Sequence, residues 1–293
     1  MPDAPACPVR GFFDAGRVSN VNAERGRQAS RGGGRQAATS AGGRRSPASS
    51  RIARVQNAYR PPSSFGLFPP VVKNLLILNG LVFLAQKIFE ARAGALVPFD
   101  VFEQLFALWP IGAPDVIRFT DGTVAFGSFR PWQLVTSAFM HGSFSHILFN
   151  MFGLWMFGGA IERVLGSRRF LIFYAACVLG ASALQLGVQS WPFLTGGGGI
   201  PVPTLGASGG VLGVLAAFGV LYPNSPIFLF LLPIPIPAKY FVLGYAAFDL
   251  FAGFSGVSSG VAHFAHLGGM AVGAAMILYW RGQLPLGRRP RTA

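Results

Sequence analysis

Long apolar runs, separated by short polar or basic segments, fill the chain from residue 71 onward. A helix that crosses a bilayer needs about 20 consecutive, mostly apolar residues. Five runs reach or approach that length, at residues 71–91, 144–164, 170–188, 238–254 and 261–280. Each run predicts a membrane helix, and together they predict an all-α, polytopic membrane protein.

A sixth apolar run is shorter and begins at a serine. A helix that starts at Ser208 and stops before Pro223 has about 14 residues and a length of about 21 Å, which is too short to span a bilayer. Its first turn is expected inside the membrane's thickness, where free helix N–H groups are tolerated only beside a water-filled cavity or buried in protein. The sequence thus predicts a six-helix bundle with a polar pocket at Ser208, next to a positive helix end.

The remaining segments divide the chain into three parts. Residues 1–65 are rich in Arg, Ala, Gly and Ser and are expected to form a basic, disordered tail. Residues 66–282 hold the six helices. They include a long first outward loop at 99–130, whose mixed aromatic and acidic residues predict an interfacial helix near 102–108. Residues 283–293 form a short basic C-terminal tail.

Apolar residues make up 52% of the chain, charged residues make up 12%, and the formal net charge is +14. A charge this high is also typical of nucleic-acid-binding proteins. However, eleven of the 24 basic residues precede Pro61, and most of the others lie beside apolar runs. This distribution favours anionic lipid and membrane topology, so the lipid bilayer is a predicted partner and nucleic acid is not.

The basic residues also predict an orientation. Arg163, Arg168 and Arg169 lie between the second and third helices, Lys239 lies between the fourth and fifth, and four arginines follow the sixth. These segments and the N-terminal tail fall on one side, which the positive-inside rule makes cytoplasmic. We therefore expect a multi-pass protein of the cell membrane with both termini in the cytoplasm.

The chain has four histidines, which lie in or beside predicted membrane helices: His141, His146, His263 and His266. Ionisable groups at membrane depth are costly, so each requires an explanation. Hydrogen bonding between buried helices is one explanation. A zinc site built from His146, His263 and His266 is a second. No HExxH pair or carboxylate partner accompanies these residues, however, and we predict no metal and no cofactor.

Acyl transfer is the third explanation, because it needs a serine, a base that takes its proton, and donors that hold the oxyanion. Ser208 is the predicted nucleophile and His266 the predicted base. The predicted oxyanion donors are His146, Asn150 one helical turn later, and the N–H group of the serine. The only nearby acid, Asp249, lies in the preceding helix. A Ser–His dyad is the simpler prediction, although Asp249 could still orient a histidine.

Three separated motifs carry these residues. Residues 206–209 form a G-x-S-G motif around Ser208, and residues 265–273 form an A-H-x-x-G-x-x-x-G motif around His266. Residues 141–150 contain the predicted oxyanion donors His146 and Asn150. Their types, spacing and order resemble those of the rhomboid family of intramembrane serine proteases. The resemblance covers about residues 66–282, the whole predicted membrane domain. It implies a six-helix core with a Ser–His dyad.

Further positions fit the same resemblance as structural or substrate-gate candidates. They are His141, Gly206, Gly209, Gly269, Gly273 and Glu162. The glycines let the serine helix and the last helix approach closely, and Glu162 belongs to a G-x-x-x-E-x-x-x-G spacing. Two positions depart from the family pattern: Gln133 follows Trp132 where the family often has arginine, and Leu212 stands where relatives carry an aromatic ring against the histidine.

We therefore predict an intramembrane serine endopeptidase that cuts transmembrane segments of other membrane proteins. The fifth helix and the loop at residues 254–260 are the predicted substrate gate. Two other classes remain as alternatives: a rhomboid-like protein that binds membrane clients without cutting them, and a small-solute transporter built on a broken helix. Ser208 and His266 argue against the first, and the lack of an evident inverted repeat argues against the second.

Overall fold

The computed structural model describes residues 69–93, 101–118, 124–229, 232–255 and 261–283. The predicted N-terminal tail, most of the predicted gate loop, and all but the first residue of the predicted C-terminal tail lie outside these ranges. The described part of the chain is mostly helical, which confirms the predicted class of secondary structure.

The helices follow the apolar runs of the sequence. In chain order they are α1 (Pro70–Ala93), α2 (Val101–Phe106), α3 (Gln133–Thr136), α4 (Phe144–Gly153), α5 (Gly159–Leu165), α6 (Ser167–Leu194), α7 (Ser208–Leu221), α8 (Ala238–Phe254) and α9 (His263–Trp280). A π-helical turn, Leu154–Gly158, joins α4 to α5 in one continuous helical segment. Gly166 ends that segment with a φ of 75°, a backbone conformation that favours glycine.

Three helical segments in the described ranges are long and apolar enough to cross a membrane: Pro70–Ala91, Phe144–Leu165 and Ser167–Leu194. Helix α7 is apolar but has only 14 residues, and α8 and α9 have 17 and 18. Large apolar side chains of the outer helices are exposed, including Leu81 (61%) and Phe251 (73%), as expected for a surface in contact with lipid. The predicted count of six spans stays a prediction.

Two short antiparallel hairpins interrupt the helical pattern, and neither was predicted from the sequence. Strand β1 (Val116–Arg118) pairs with β2 (Val124–Phe126) in the first loop, and β3 (Pro226–Leu229) pairs with β4 (Leu232–Pro237) between α7 and α8. Strands of three to six residues are too short to give a clear alternating pattern. The predicted interfacial helix near 102–108 corresponds to α2.

Helix α7 lies at the centre of the bundle, and its residues 209–217 are all buried. Helix α9 packs against α7 and α6. A Cβ on Gly269 of α9 would overlap the carbonyl oxygen of Gly209, and a Cβ on Gly273 would overlap that of Gly213. The two helices thus meet through facing G-x-x-x-G surfaces, because only small residues allow such an approach. We call this contact the α7–α9 seam.

Gln133 at the start of α3 holds the first loop together from the inside. Its side chain is fully buried. The Oε1 atom accepts hydrogen bonds from the N–H groups of Trp109 (3.2 Å) and Arg130 (3.1 Å), and Nε2 donates to the Ser128 carbonyl at 3.2 Å. The residue that stands where the family often has arginine thus joins segments inside the first loop.

Glu162 of α5 caps the start of α1. Its two carboxylate oxygens accept hydrogen bonds from the N–H groups of Val71 (3.0 Å) and Val72 (2.8 Å), and Ser167 Oγ donates to Oε1 at 2.7 Å. A carboxylate at this place satisfies free helix N–H groups and complements the positive helix end. Glu162 thus joins α1, α5 and α6.

Candidate active site

Ser208 is the first residue of α7, and the turn before it is built on Gly206. Gly206 has a φ of 132°, and its N–H donates to the Ser137 carbonyl at 2.9 Å. A Cβ on Gly206 would lie 2.8 Å from the His146 ring and 3.6 Å from Ser208 Oγ. Glycine is therefore required both by the backbone conformation and by the narrow space between His146 and Ser208.

His266 meets Ser208 across the α7–α9 seam. Its Nε2 atom lies 2.9 Å from Ser208 Oγ, within the distance needed for proton transfer. The two residues are 58 positions apart, and the seam brings them together because Ser208 precedes Gly209 and His266 lies one helical turn before Gly269. Ser208 is half-buried and His266 is buried. The fold thus places in contact the two residues that the sequence selects.

Asp249 of α8 contacts the opposite nitrogen of the same imidazole. His266 Nδ1 lies 3.1 Å from Asp249 Oδ2 and 3.3 Å from Oδ1. His263 Nδ1 lies 2.6 Å from Asp249 Oδ1. All three side chains are buried. The contact itself was not predicted from the sequence, because Asp249 and the two histidines lie on different helices.

These three side chains also form a candidate metal group, since their ligand atoms all lie within 4.8 Å of one another. Two ligands of a tetrahedral zinc ion, each about 2.0–2.2 Å from the metal, are roughly 3.3 Å apart. The 2.6 Å separation of His263 Nδ1 and Asp249 Oδ1 suits a hydrogen bond and is too short for two ligands of one ion. The geometry of this group therefore favours hydrogen bonding.

The two side chains predicted to stabilise the oxyanion, His146 and Asn150, lie on α4. Ser143 caps this helix, and its Oγ accepts a hydrogen bond from the His146 N–H at 3.2 Å. The ring of His146 is half-buried beside the turn at Gly206. Asn150 is buried, and its Nδ2 donates to the His146 carbonyl at 3.1 Å. One of the two N–H groups of the Asn150 amide is thus engaged within the helix.

His141 lies just before α4 and is fully buried. Gln86 of α1 holds its backbone, accepting from the His141 N–H at 2.9 Å and donating to its carbonyl at 3.4 Å. The His141 ring packs edge-on against His146, with 5.1 Å between the ring centroids. Burial, together with the neighbouring His146, lowers the pKa of His141 to about 4, so this imidazole is neutral at pH 7.

An aromatic ring reaches His266 from α8. Leu212 is an aliphatic residue buried in the core, so it does not supply the ring that relatives carry at its position. Tyr245 lies instead with its ring centroid 6.3 Å from that of His266, within the range of aromatic pairs. Tyr245 is not among the predicted site residues. Its spacing of four residues from Asp249 was the available signal, because this spacing places both residues on one face of α8.

A small cavity adjoins the turn before Ser208. Its lining includes the polar side chains of Ser137, Ser182, Gln185 and Thr204, together with Gly206 and Gly209. A lining with several hydrogen-bonding groups suits water better than an apolar ligand. The neighbourhood of Ser208 is thus polar although α7 itself is apolar.

The fold and site define a helical integral membrane protein in which a serine at the start of a short buried helix contacts a histidine of the last helix. The sequence model of the Rhomboid domain matches residues 128–283, which is more than half of the 293 residues. The chain belongs to the rhomboid family, as its motifs indicate.

Several proteins of this family are similar to the chain. Rhomboid protein 1, mitochondrial, of Saccharomyces cerevisiae is 34% identical over 141 residues, which cover 48% of this chain and 39% of that protein. RHOMBOID-like protein 12, mitochondrial, of Arabidopsis thaliana is 34% identical over 194 residues, 63% of this chain and 54% of that protein. Rhomboid protease GluP of Bacillus subtilis is 34% identical over 119 residues, 38% of this chain and 21% of that protein. The chain therefore matches about half or less of each of these relatives.

Proposed function

We propose that the protein is an intramembrane serine endopeptidase that cuts transmembrane segments of other membrane proteins, with Ser208 as nucleophile and His266 as general base. The observation that carries the proposal is the 2.9 Å contact between His266 Nε2 and Ser208 Oγ. A serine hydroxyl is a weak nucleophile unless a base takes its proton, and this contact supplies the base. Membership of the family that includes the protease GluP supports the same activity class.

The reaction begins when Ser208 Oγ attacks the peptide carbonyl carbon and its proton passes to His266 Nε2. Negative charge then develops on the carbonyl oxygen, and the Ser208 N–H, His146 and Asn150 are the proposed donors that stabilise it. His266 returns the proton to the leaving amine as the C–N bond breaks. A water molecule, deprotonated by His266, then attacks the acyl-serine ester; the bond to Ser208 Oγ breaks, and His266 returns the proton to that oxygen. These steps require neither a metal nor a cofactor.

The substrate must expose a carbonyl before Ser208 can attack it. A transmembrane helix hides its carbonyls in backbone hydrogen bonds, so small or helix-breaking residues near the cut lower the cost of local unwinding. Helix α8 is the proposed gate. Its outer side chains are apolar and exposed, as in Tyr240 (61%), Leu243 (66%) and Phe248 (61%). This face of α8 is therefore expected to contact lipid rather than the core of the protein.

We place the protein in the cell membrane with both termini in the cytoplasm, on the basis of its Arg and Lys distribution. The yeast and Arabidopsis relatives are named mitochondrial, so a mitochondrial membrane is the competing location. Fractionation of a tagged protein, combined with protease access to each terminus, separates the two locations and tests the orientation.

Covalent labelling by a fluorophosphonate tests the proposal, together with cleavage of a purified transmembrane reporter. The wild-type protein in detergent is expected to be labelled and to cleave, whereas Ser208→Ala does neither and keeps its membrane insertion and melting temperature. Cleavage by purified Ser208→Ala protein would remove the assignment. If the folded wild-type protein bound reporter segments but was neither labelled by fluorophosphonate nor able to cut them, it would be a rhomboid-like protein that binds membrane clients without cutting them.

A further inference from the structure

We infer that Asp249 positions His266, so that the site works as a Ser–His–Asp triad whose carboxylate is held from its other side by His263. The inference rests on the proposed function, because it identifies the partner of the base in the same site. It replaces the simpler dyad that the sequence predicts. The contacts of Asp249 with both imidazoles carry it.

The tautomer of His266 follows from these contacts. A neutral imidazole has one N–H group and one acceptor nitrogen, and the partner of one nitrogen decides which is which. A carboxylate accepts hydrogen bonds, so His266 Nδ1, at 3.1 and 3.3 Å from the Asp249 oxygens, carries the proton. Nε2 is then the acceptor, and it is the atom that faces Ser208 Oγ at 2.9 Å. Asp249 thus selects the tautomer that can take the serine proton.

Burial strengthens the effect of the carboxylate. Asp249 is 1% exposed, so water does not screen its charge from the imidazolium that forms when His266 takes the serine proton. That imidazolium is the charged state that the carboxylate stabilises. Asp249 therefore acts on the base in two ways, by fixing its orientation before proton transfer and by stabilising its charge afterwards.

The hydrogen bond from His263 offsets part of the free-energy cost of burying the Asp249 carboxylate. A buried, ionised group without partners is strongly unfavourable at membrane depth. His263 lies three residues before His266 on the same face of α9, and its Nδ1 donates to Asp249 Oδ1 at 2.6 Å. The carboxylate thus accepts from two imidazole N–H groups, and Oδ2 remains directed at His266. The role of His263 is to fix Asp249 and not to touch the substrate.

Helix α8 contacts His266 through a second residue, Tyr245. The Tyr245 ring lies beside the His266 ring, and Tyr245 is one helical turn before Asp249. One face of α8 thus supplies both the carboxylate and the aromatic neighbour of the base. The position of the base in this chain therefore depends on α8 as well as on the α7–α9 seam.

Asp249→Asn tests the inference because asparagine keeps the side-chain shape but offers a single oxygen to two imidazole N–H groups. We expect kcat to fall at least about 100-fold, since the same change in a soluble triad lowers turnover about 10⁴-fold. KM is expected to change less than about threefold, and the melting temperature to stay near that of the wild type. Asp249→Glu, which restores a carboxylate, is expected to recover part of the loss. His263→Ala removes one partner of the Asp249 carboxylate but leaves its contact with His266, so it is expected to lower kcat less than Asp249→Asn does, retaining about a tenth or more of the wild-type value.

Histidine-selective ¹⁵N NMR of the wild-type protein in detergent gives a second readout that does not depend on any Asp249 variant folding. The nitrogen shifts identify the protonated ring atom, and His266→Ala assigns the signal. An Nδ1–H tautomer is expected for His266. An Nε2–H tautomer would overturn the inference, as would a folded Asp249→Asn enzyme with kcat within about threefold of wild type. If Ser208→Ala cleaved the reporter, the proposed function would fail, while the tautomer would still decide whether Asp249 positions His266.

Discussion

Gly269 on α9 faces Gly209 on α7 so closely that a side-chain carbon on Gly269 would overlap the Gly209 carbonyl oxygen. This approach sets the distance between the helices that carry His266 and Ser208. Gly269→Ala is therefore expected to force the helices apart, to lower stability by about 1–3 kcal/mol and to reduce cleavage. The melting temperature in detergent and the turnover of the same sample measure both effects.

Gly187→Ala in α6 is the control for this substitution. No atom lies within 4 Å of a Cβ built at Gly187, so the added methyl meets open space. Alanine also favours a helix over glycine, and the melting temperature is expected to stay equal or to rise. A similar loss of stability in both glycine variants would show that the α7–α9 seam has no special role.

The two histidines of α9 are expected to differ in effect. His266 contacts Ser208 through Nε2, whereas His263 contacts Asp249 through Nδ1. His266→Ala is therefore expected to abolish reporter cleavage, while His263→Ala leaves a measurable fraction. The reverse ranking, measured on folded proteins, would mean that the base has been assigned to the wrong histidine.

Asn150→Ala removes a proposed oxyanion donor. Loss of one such donor typically lowers turnover about 10²- to 10³-fold, or about 2.7–4 kcal/mol, and the other donors remain. We expect weak activity with the loss mainly in kcat, because the interaction strengthens as charge develops on the carbonyl oxygen. Fluorophosphonate labelling at Ser208 is expected to persist.

A structural role for Asn150 makes a different prediction. Its amide donates to the His146 carbonyl within α4, so a residue with only that role would affect stability before turnover. Melting temperature and turnover measured on one preparation separate the two roles. A large drop in melting temperature with normal turnover in the folded fraction would remove Asn150 from the site.

Chelation of metal ions is expected to leave the purified enzyme active. A serine–histidine mechanism uses no metal, and the 2.6 Å separation of His263 Nδ1 and Asp249 Oδ1 suits a hydrogen bond. Reporter cleavage with and without a zinc chelator measures this. Inhibition that is reversed by added zinc would instead support a metal site at the histidines.

His141 predicts a dependence of stability on pH. Its folded-state pKa of about 4 lies below the ordinary value of 6.5, so the unfolded chain binds the proton more readily. The stability that neutral, buried His141 contributes is fully present above pH 6.5 and is lost as the pH falls from 6.5 toward 4. His141→Gln, which does not titrate, is expected to flatten this part of the curve of melting temperature against pH. An unchanged slope would contradict the burial of a neutral imidazole.

The apolar runs of the sequence were sufficient to locate the main helices, and two local motifs were sufficient to select the residues of the candidate dyad. The run at 208–221 predicts a short helix, and α7 has those bounds, because a turn containing Gly206 precedes it and Pro223 follows it. Ser208 and His266 were recognisable because each lies in a short motif whose spacing is local. Signals of this kind depend only on neighbouring residues in the chain.

The surroundings of those two residues depend on tertiary contacts. Asp249 and Tyr245 reach His266 from α8, and Gln133 joins segments of the first loop from a buried position. Such contacts depend on which face of one helix meets another and on how closely the two backbones approach. The facing glycines of α7 and α9 set that approach for the candidate site. Because each partner belongs to a different segment of the chain, no local pattern of residues could determine these contacts.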